Sequence, residues 1–191
     1  MHTVHKYPPS RFEYVPITDT QIEQAISWLG LYKAPGADGI SNVVLIKCAD
    51  LIVPHLGPNY HVMFKLETYP ENWKSSVTIM LRKLAKPDYM LPSTHQPIAL
   101  ISTFTKVLSS CVTADLVHMT KVHRLLPDNY FGCRPGRTTT DLLHYITKFI
   151  KDAWGRCEVV SMLFLDVKAA FPSIILDQLI HDMRKRGVPP Q

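Results

Sequence analysis

The stretch LFLDVKAAFPS, residues 163–173, sets Asp166 at the end of an oily run and Phe171 five positions beyond it. Val159–Leu165 is apolar at nearly every position, as in a strand covered on both faces. An ionised carboxylate leaving such a strand is costly unless it is hydrogen-bonded, paired or metal-bound. Carboxylates at strand ends commonly hold Mg²⁺ in phosphoryl-transfer sites, because a hard cation takes oxygen ligands. The plainer reading is that Asp166 sits where the strand meets water, or caps the next turn. Spacing alone leaves both open.

Two loops carry basic groups beside glycine. GCRPGRTT, residues 132–139, offers Arg134, Arg137 and free amides at the start of a helix, a combination that suits an anion. It is not a Walker A loop: the glycine spacing is one residue short, Arg137 stands where lysine would, and DNYF before it is no incoming strand. Solvated arginines on a Gly/Pro loop are the alternative. In KAPGADG, residues 33–39, Pro35-Gly36 and Asp38-Gly39 favour tight turns, and Lys33 is either solvated or set against a phosphate. His118 and His123 lie five apart and do not share a helical face, so neither reads as a metal ligand.

The elements that must position these residues follow from patterning. Residues 1–17, with Pro8, Pro9 and Pro16, read as an irregular entry. Thr18 to Gln21 has capping-box spacing, with Ile22, Ala25, Ile26 and Leu29 following at helical intervals as far as about Gly30. Helical patterns run over Val43–Cys48, past Pro54 to about Leu66, over Phe104–Leu125 and over Thr138–Ile150. Strands are expected at Val77–Leu81 and Val159–Val167, with residues 86–102 extended or looped around three prolines. Ser173 is expected to cap a last helix striped by Ile175, Leu176, Leu179, Ile180 and Met183, with Arg184–Arg186 at its C-terminal dipole and Gly187 ending it. The fold class is therefore α/β (α+β), rich in helices, with few strands and long loops.

Composition fits that picture. With 46% hydrophobic and 19% charged residues among 191, the chain can bury a core, and disorder is excluded. The formal charge of +5 suits a polyanionic partner without requiring one. Four scattered cysteines with no CxxC spacing point to a reduced, intracellular protein. The N-terminus lacks the apolar core of a signal peptide, and no apolar stretch is long enough to span a bilayer. Nucleus and cytoplasm stay equally open.

The order of the blocks says more than any one of them. KAPGADGISNVVL, then LRKLAKPDYMLPSTHQPIALIS, then LLPDNYFGCRPGRTTTDLLHY, then VVSMLFLDVKAAFPSIILDQLIHDMRKRG resembles the reverse transcriptase of non-LTR (LINE-type) retrotransposons over roughly residues 18–190. The resemblance implies a partial right-hand polymerase, with helix-rich fingers over residues 18–157 and the first palm strand and helix over 158–191. It implies Mg²⁺-dependent nucleotidyl transfer that copies an RNA template from a DNA primer with dNTPs. Asp166 would ligate both metals and the Val167 backbone carbonyl would join it. Phe171 would be the steric gate beneath the incoming sugar. Lys83 and Lys86 would meet the nucleotide, and Arg134, Arg137 and Lys33 the nucleic acid.

Departures from the family pattern temper that expectation. Gln96 stands where an arginine usually contacts the incoming nucleotide, and a neutral amide cannot give charge-assisted pairing with phosphate. Leu84 and Ala85 replace a common Pro-Gly, Cys133 occupies a position often glycine, and Ala169 does so as well. The sequence reaches Gln191 without an aromatic-x-Asp-Asp block, and no adjacent Asp-Asp pair occurs in it. On this reading the chain by itself is an incomplete, inactive portion. A non-catalytic basic module binding RNA or DNA is the alternative, and an unrelated Mg²⁺-dependent phosphotransferase built on Asp166 ranks below both.

Overall fold

The computed structural model describes residues 6–13, 15–167, 170 and 173–189. It is mixed α and β. The order is α1 (Asp19–Ser27), α2 (Asn42–Lys47), α3 (Ala49–Lys65), α4 (Glu71–Lys74), β1 (Val77–Arg82), a 3-10 turn (Pro92–Thr94), β2 (His95–Leu100), α5 (Thr103–Val122), α6 (Thr139–Gly155) and α7 (Leu176–Lys185). The chain divides into two compact units, Tyr14–Leu116 and Val117–Pro190 with Met1–Glu13. No helix among the described residues is long and apolar enough to cross a membrane.

In the Tyr14–Leu116 unit, α1 begins with the expected capping box. The Thr18 hydroxyl accepts from the Gln21 amide at 3.3 Å, and Gln21 Oε1 accepts from the Thr18 amide at 2.8 Å. That arrangement satisfies donors a helix start would otherwise leave unpaired. Ile22, Ala25 and Ile26 then face a core completed by Ile17, Leu45, Val53, Leu56, Tyr60, Val107, Leu108 and Cys111. The α3 helix runs unbroken through Pro54 and Pro58, which lie four apart on its exposed face. Carbonyls that lose a helical partner there can turn toward water, so the helix continues past both prolines.

Tyr60 is fully buried, and its hydroxyl donates to the Phe104 carbonyl at 3.1 Å. Burial pushes its phenol pKa well up, with smaller contributions from Cys111 and Tyr69. Trp73 stacks on Phe104 at 5.9 Å and meets Tyr60 edge-on at 6.2 Å, which ties α4 to the start of α5. β1 and β2 form a two-stranded antiparallel ribbon with Val77 opposite Leu100 and Arg82 opposite His95. Every residue of β1 is exposed.

The unit containing α6 and α7 is held differently. Thr138, expected as the first helical residue, instead caps α6 from outside through a capping box with Asp141, and the helix runs on to Gly155, beyond the expected Ile150. Of its expected stripe, Leu142, Ile146 and Ile150 are half-buried and Leu143 is exposed. Two expectations need correction. Residues 159–167 form no strand: they have no ladder partner, and Leu163, Phe164 and Leu165 are 82%, 80% and 83% exposed. An apolar run becomes a strand only when another strand takes its amides and carbonyls, and the sheet among the described residues holds β1 and β2 alone. Ser173 does not cap α7 either. The helix starts at Leu176 with Ile175 in the cap position and no side-chain bond there, because Ser173 lies too early to reach the first free amides. Its end is as expected: Gly187 takes φ +88°, and its amide closes onto the Arg184 carbonyl at 3.0 Å.

Candidate functional site

The KAPGADG loop is clasped to the start of α5. Asp38 Oδ1 accepts from the Ile40 amide at 3.1 Å, Gly39 adopts φ +69°, and its amide donates to the Gly36 carbonyl at 3.1 Å. The turn presses Gly36 so close to the chain after β2 that an added Cβ would lie 2.5 Å from the Ile101 carbonyl carbon and 2.6 Å from the Ser102 amide. Only glycine fits against unyielding backbone at that distance. Two residues outside the expected site, Asn42 and Thr103, lock the junction. Asn42 Nδ2 donates to the Gly30 carbonyl at 2.7 Å, and the Thr103 hydroxyl donates to the Ile40 carbonyl at 2.8 Å. Both side chains are buried. Their signal in the sequence is faint, since a polar residue beginning a helix looks the same whether it is buried or solvated. Lys33 stands exposed at the edge of this loop, its stem alongside Gly30.

Lys83, Lys86 and Gln96 share the β1–β2 hairpin. Its loop folds back over one face around Tyr89. The Arg82 guanidinium lies 5.3 Å from the Tyr89 ring centroid, His95 meets that ring edge-on at 6.2 Å, and the Tyr89 hydroxyl donates to the Lys83 carbonyl at 3.0 Å. The Lys83 ammonium donates to the Ser93 carbonyl at 2.9 Å, so it braces the loop, while Lys86 is exposed. Gln96 pairs with Leu81, one residue out of step with Arg82 and His95. Successive strand residues point to opposite faces, so Arg82 cannot replace the cation missing at Gln96.

Arg134 and Arg137 share the loop before α6. Arg134 Nη1 donates to the Pro127 carbonyl at 3.0 Å and to the Tyr130 carbonyl at 3.4 Å, and the Arg137 guanidinium lies 4.8 Å from the Phe131 ring centroid. Both arginines are half-buried and partly committed to the loop's own shape. The helix start carries its own anion: Asp141 Oδ2 accepts from the Thr138 amide and hydroxyl, each at 2.8 Å. Those bonds hold the Asp141 carboxyl below its ordinary pKa, the Thr138 hydroxyl first and its amide second.

Two of the departures from the family pattern fall on backbone that favours glycine. Ala85 sits at φ +59° and Cys133 at φ +51°, the left-handed region where a side chain costs about 1–2 kcal/mol. Asp166 and Val167 are exposed at the end of the unpaired run. Phe171 and Ala169 lie outside the described residues. Among the described residues no group of three or more His, Cys, Asp or Glu side chains converges to hold a metal ion.

No protein-family model matches the chain. It is 31% identical over 170 residues to a probable RNA-directed DNA polymerase from transposon BS of Drosophila melanogaster, across 89% of this chain and 19% of that protein. This chain is a relative of the RNA-directed DNA polymerases of non-LTR retrotransposons. The likeness recurs in the same fly. A probable RNA-directed DNA polymerase from transposon X-element is 26% identical over 87% of the chain and 18% of its own length. The RNA-directed DNA polymerase from mobile element jockey is 27% identical over 98% of the chain and 21% of its own length. The chain thus spans about a fifth of the length of these curated relatives. The clasped loop, the basic hairpin and the arginine loop are the structures this chain builds from three of the four motif blocks.

Proposed function

We propose that this chain forms the fingers and the start of the palm, with its first helix, of a reverse transcriptase, acting on an RNA template, a DNA primer and dNTPs. The observation that carries the reading is a likeness to RNA-directed DNA polymerases that extends over 89% of the chain. Exposed Lys33 and Lys86 and the free donors of Arg134 and Arg137 suit phosphate contacts. Phe171 would exclude a 2′-hydroxyl by filling the space beneath the sugar. Mg²⁺, when bound, would hold the attacking and leaving oxygens in line. Asp166 and the Val167 carbonyl are the oxygens this chain would offer it. One exposed carboxylate and one carbonyl do not fit a two-metal centre on their own, so further oxygen donors are required there.

Fluorescence anisotropy with an RNA template annealed to a DNA primer tests this reading. Affinity is expected to fall steeply with salt and to weaken in Arg134→Ala/Arg137→Ala, since each phosphate contact releases a counterion. The 191-residue chain with Mg²⁺ and dNTPs is expected to leave the primer unextended. Salt-independent or absent binding would sink the proposal. Binding that ignores added dNTP, even when Gln96→Arg restores the missing charge, would favour a non-catalytic module.

A further inference from the structure

We propose that residues 6–13 are a strap that clamps the C-terminal end of α7 to the chain just beyond α5, a conformational latch within the α6–α7 unit. Two consecutive prolines, Pro8 and Pro9, keep this segment extended, which lowers the entropy lost when it docks. Its contacts come in sequence order. Tyr7 meets His181 edge-on with ring centroids 5.6 Å apart, its hydroxyl 3.1 Å from Nδ1, and the Arg184 guanidinium lies 5.7 Å from the centre of the same ring. The Arg11 amide then donates to the Gly187 carbonyl at 3.0 Å, and Phe12 tilts onto His123 at 4.9 Å.

Gly187 is buried beneath the strap, and a Cβ there would lie 2.6 Å from Arg11 Cγ. The same glycine ends α7 at φ +88°. One residue therefore serves both the helix stop and the docking surface. Arg186 completes the clamp by donating from Nη1 to the Leu125 carbonyl at 2.7 Å. Three segments far apart in sequence, residues 6–13, 123–125 and 181–187, meet at this place. No large core backs the unit: of its described hydrophobic side chains Ala153 alone is fully buried, while Leu142, Ile146 and Ile150 are half-buried. A few local contacts therefore carry a large share of the order at this end. The inference does not depend on the polymerase reading.

Hydrogen exchange on the full chain tests it. Tyr7→Ala/Phe12→Ala is expected to speed exchange of the α7 amides by about tenfold or more, leaving α1 and α3 unchanged. Unchanged α7 exchange would overturn the strap. So would a loss of protection spread equally through α1 and α3, which would mark general destabilisation. A second pair separates contact from backbone strain. Gly187→Ala is expected to raise α7 exchange, and adding Arg11→Ala, which removes Cγ, is expected to reverse part of that rise. A rise that Arg11→Ala leaves untouched would overturn the docking contact.

Discussion

One face each of α1, α2, α3 and the first half of α5 is apolar and buried; the run 159–167 and the α7 stripe carry comparable apolar side chains that stand mostly in water. Leu45 is 0% exposed, whereas Leu163 is 82% exposed. Hydrophobicity is similar in the two regions, and partners are not. A helix satisfies its own backbone, so an amphipathic one needs only a neighbouring apolar face. An extended run must find a partner for its backbone as well as its side chains. The first region has both requirements met within the unit; the run 159–167 meets neither among the described residues, and α7 satisfies its backbone but leaves most of its apolar stripe exposed.

The sharpest way to break the comparison is to truncate one leucine in each region. Leu45→Ala should cost about 2–5 kcal/mol, and Leu163→Ala should stay within about 0.5 kcal/mol. Urea denaturation reads both, and equal losses would mean that Leu163 is buried after all.

Next is the clasp. Gly36→Ala should destabilise by about 1–3 kcal/mol, because its Cβ meets backbone that has little room to move. Unaltered stability would show the 33–39 loop free of the 101–102 backbone.

Smaller, and opposite in sign, are two replacements in the left-handed region. Ala85→Gly and Cys133→Gly should each stabilise by about 0.5–1 kcal/mol, against the usual direction of substitution to glycine. A melting-temperature decrease in either would contradict the backbone described at that position.

The last contrast is between thiols and vanishes at neutral pH. Burial pushes the Cys111 thiol from its ordinary 9.0 up to about 11, aided by Asp115. The unfolded chain then ionises first, so stability should be intact below about pH 9 and fall between pH 9 and 11. Cys111→Ala should flatten that fall. At pH 8, alkylation of the folded chain should label exposed Cys133 and Cys157 and spare Cys111.

Sequence alone determined what is governed locally. The capping box at Thr18, the β1 strand, the long α5 and α6 helices and the stop at Gly187 all obey rules that act within a few residues. The order of four motif blocks likewise carried the relationship to reverse transcriptases without any geometry. Tertiary structure decided what depends on distant partners. It turned Asn42 and Thr103 into a buried lock, set the Arg82 and Gln96 side chains on opposite faces of the hairpin, tied Lys83 and Arg134 to carbonyls, and left 159–167 without a ladder. Hydrogen-bond partners far along the chain leave no periodic trace in composition, because the free energy of each contact resides in a pair of segments rather than in either one.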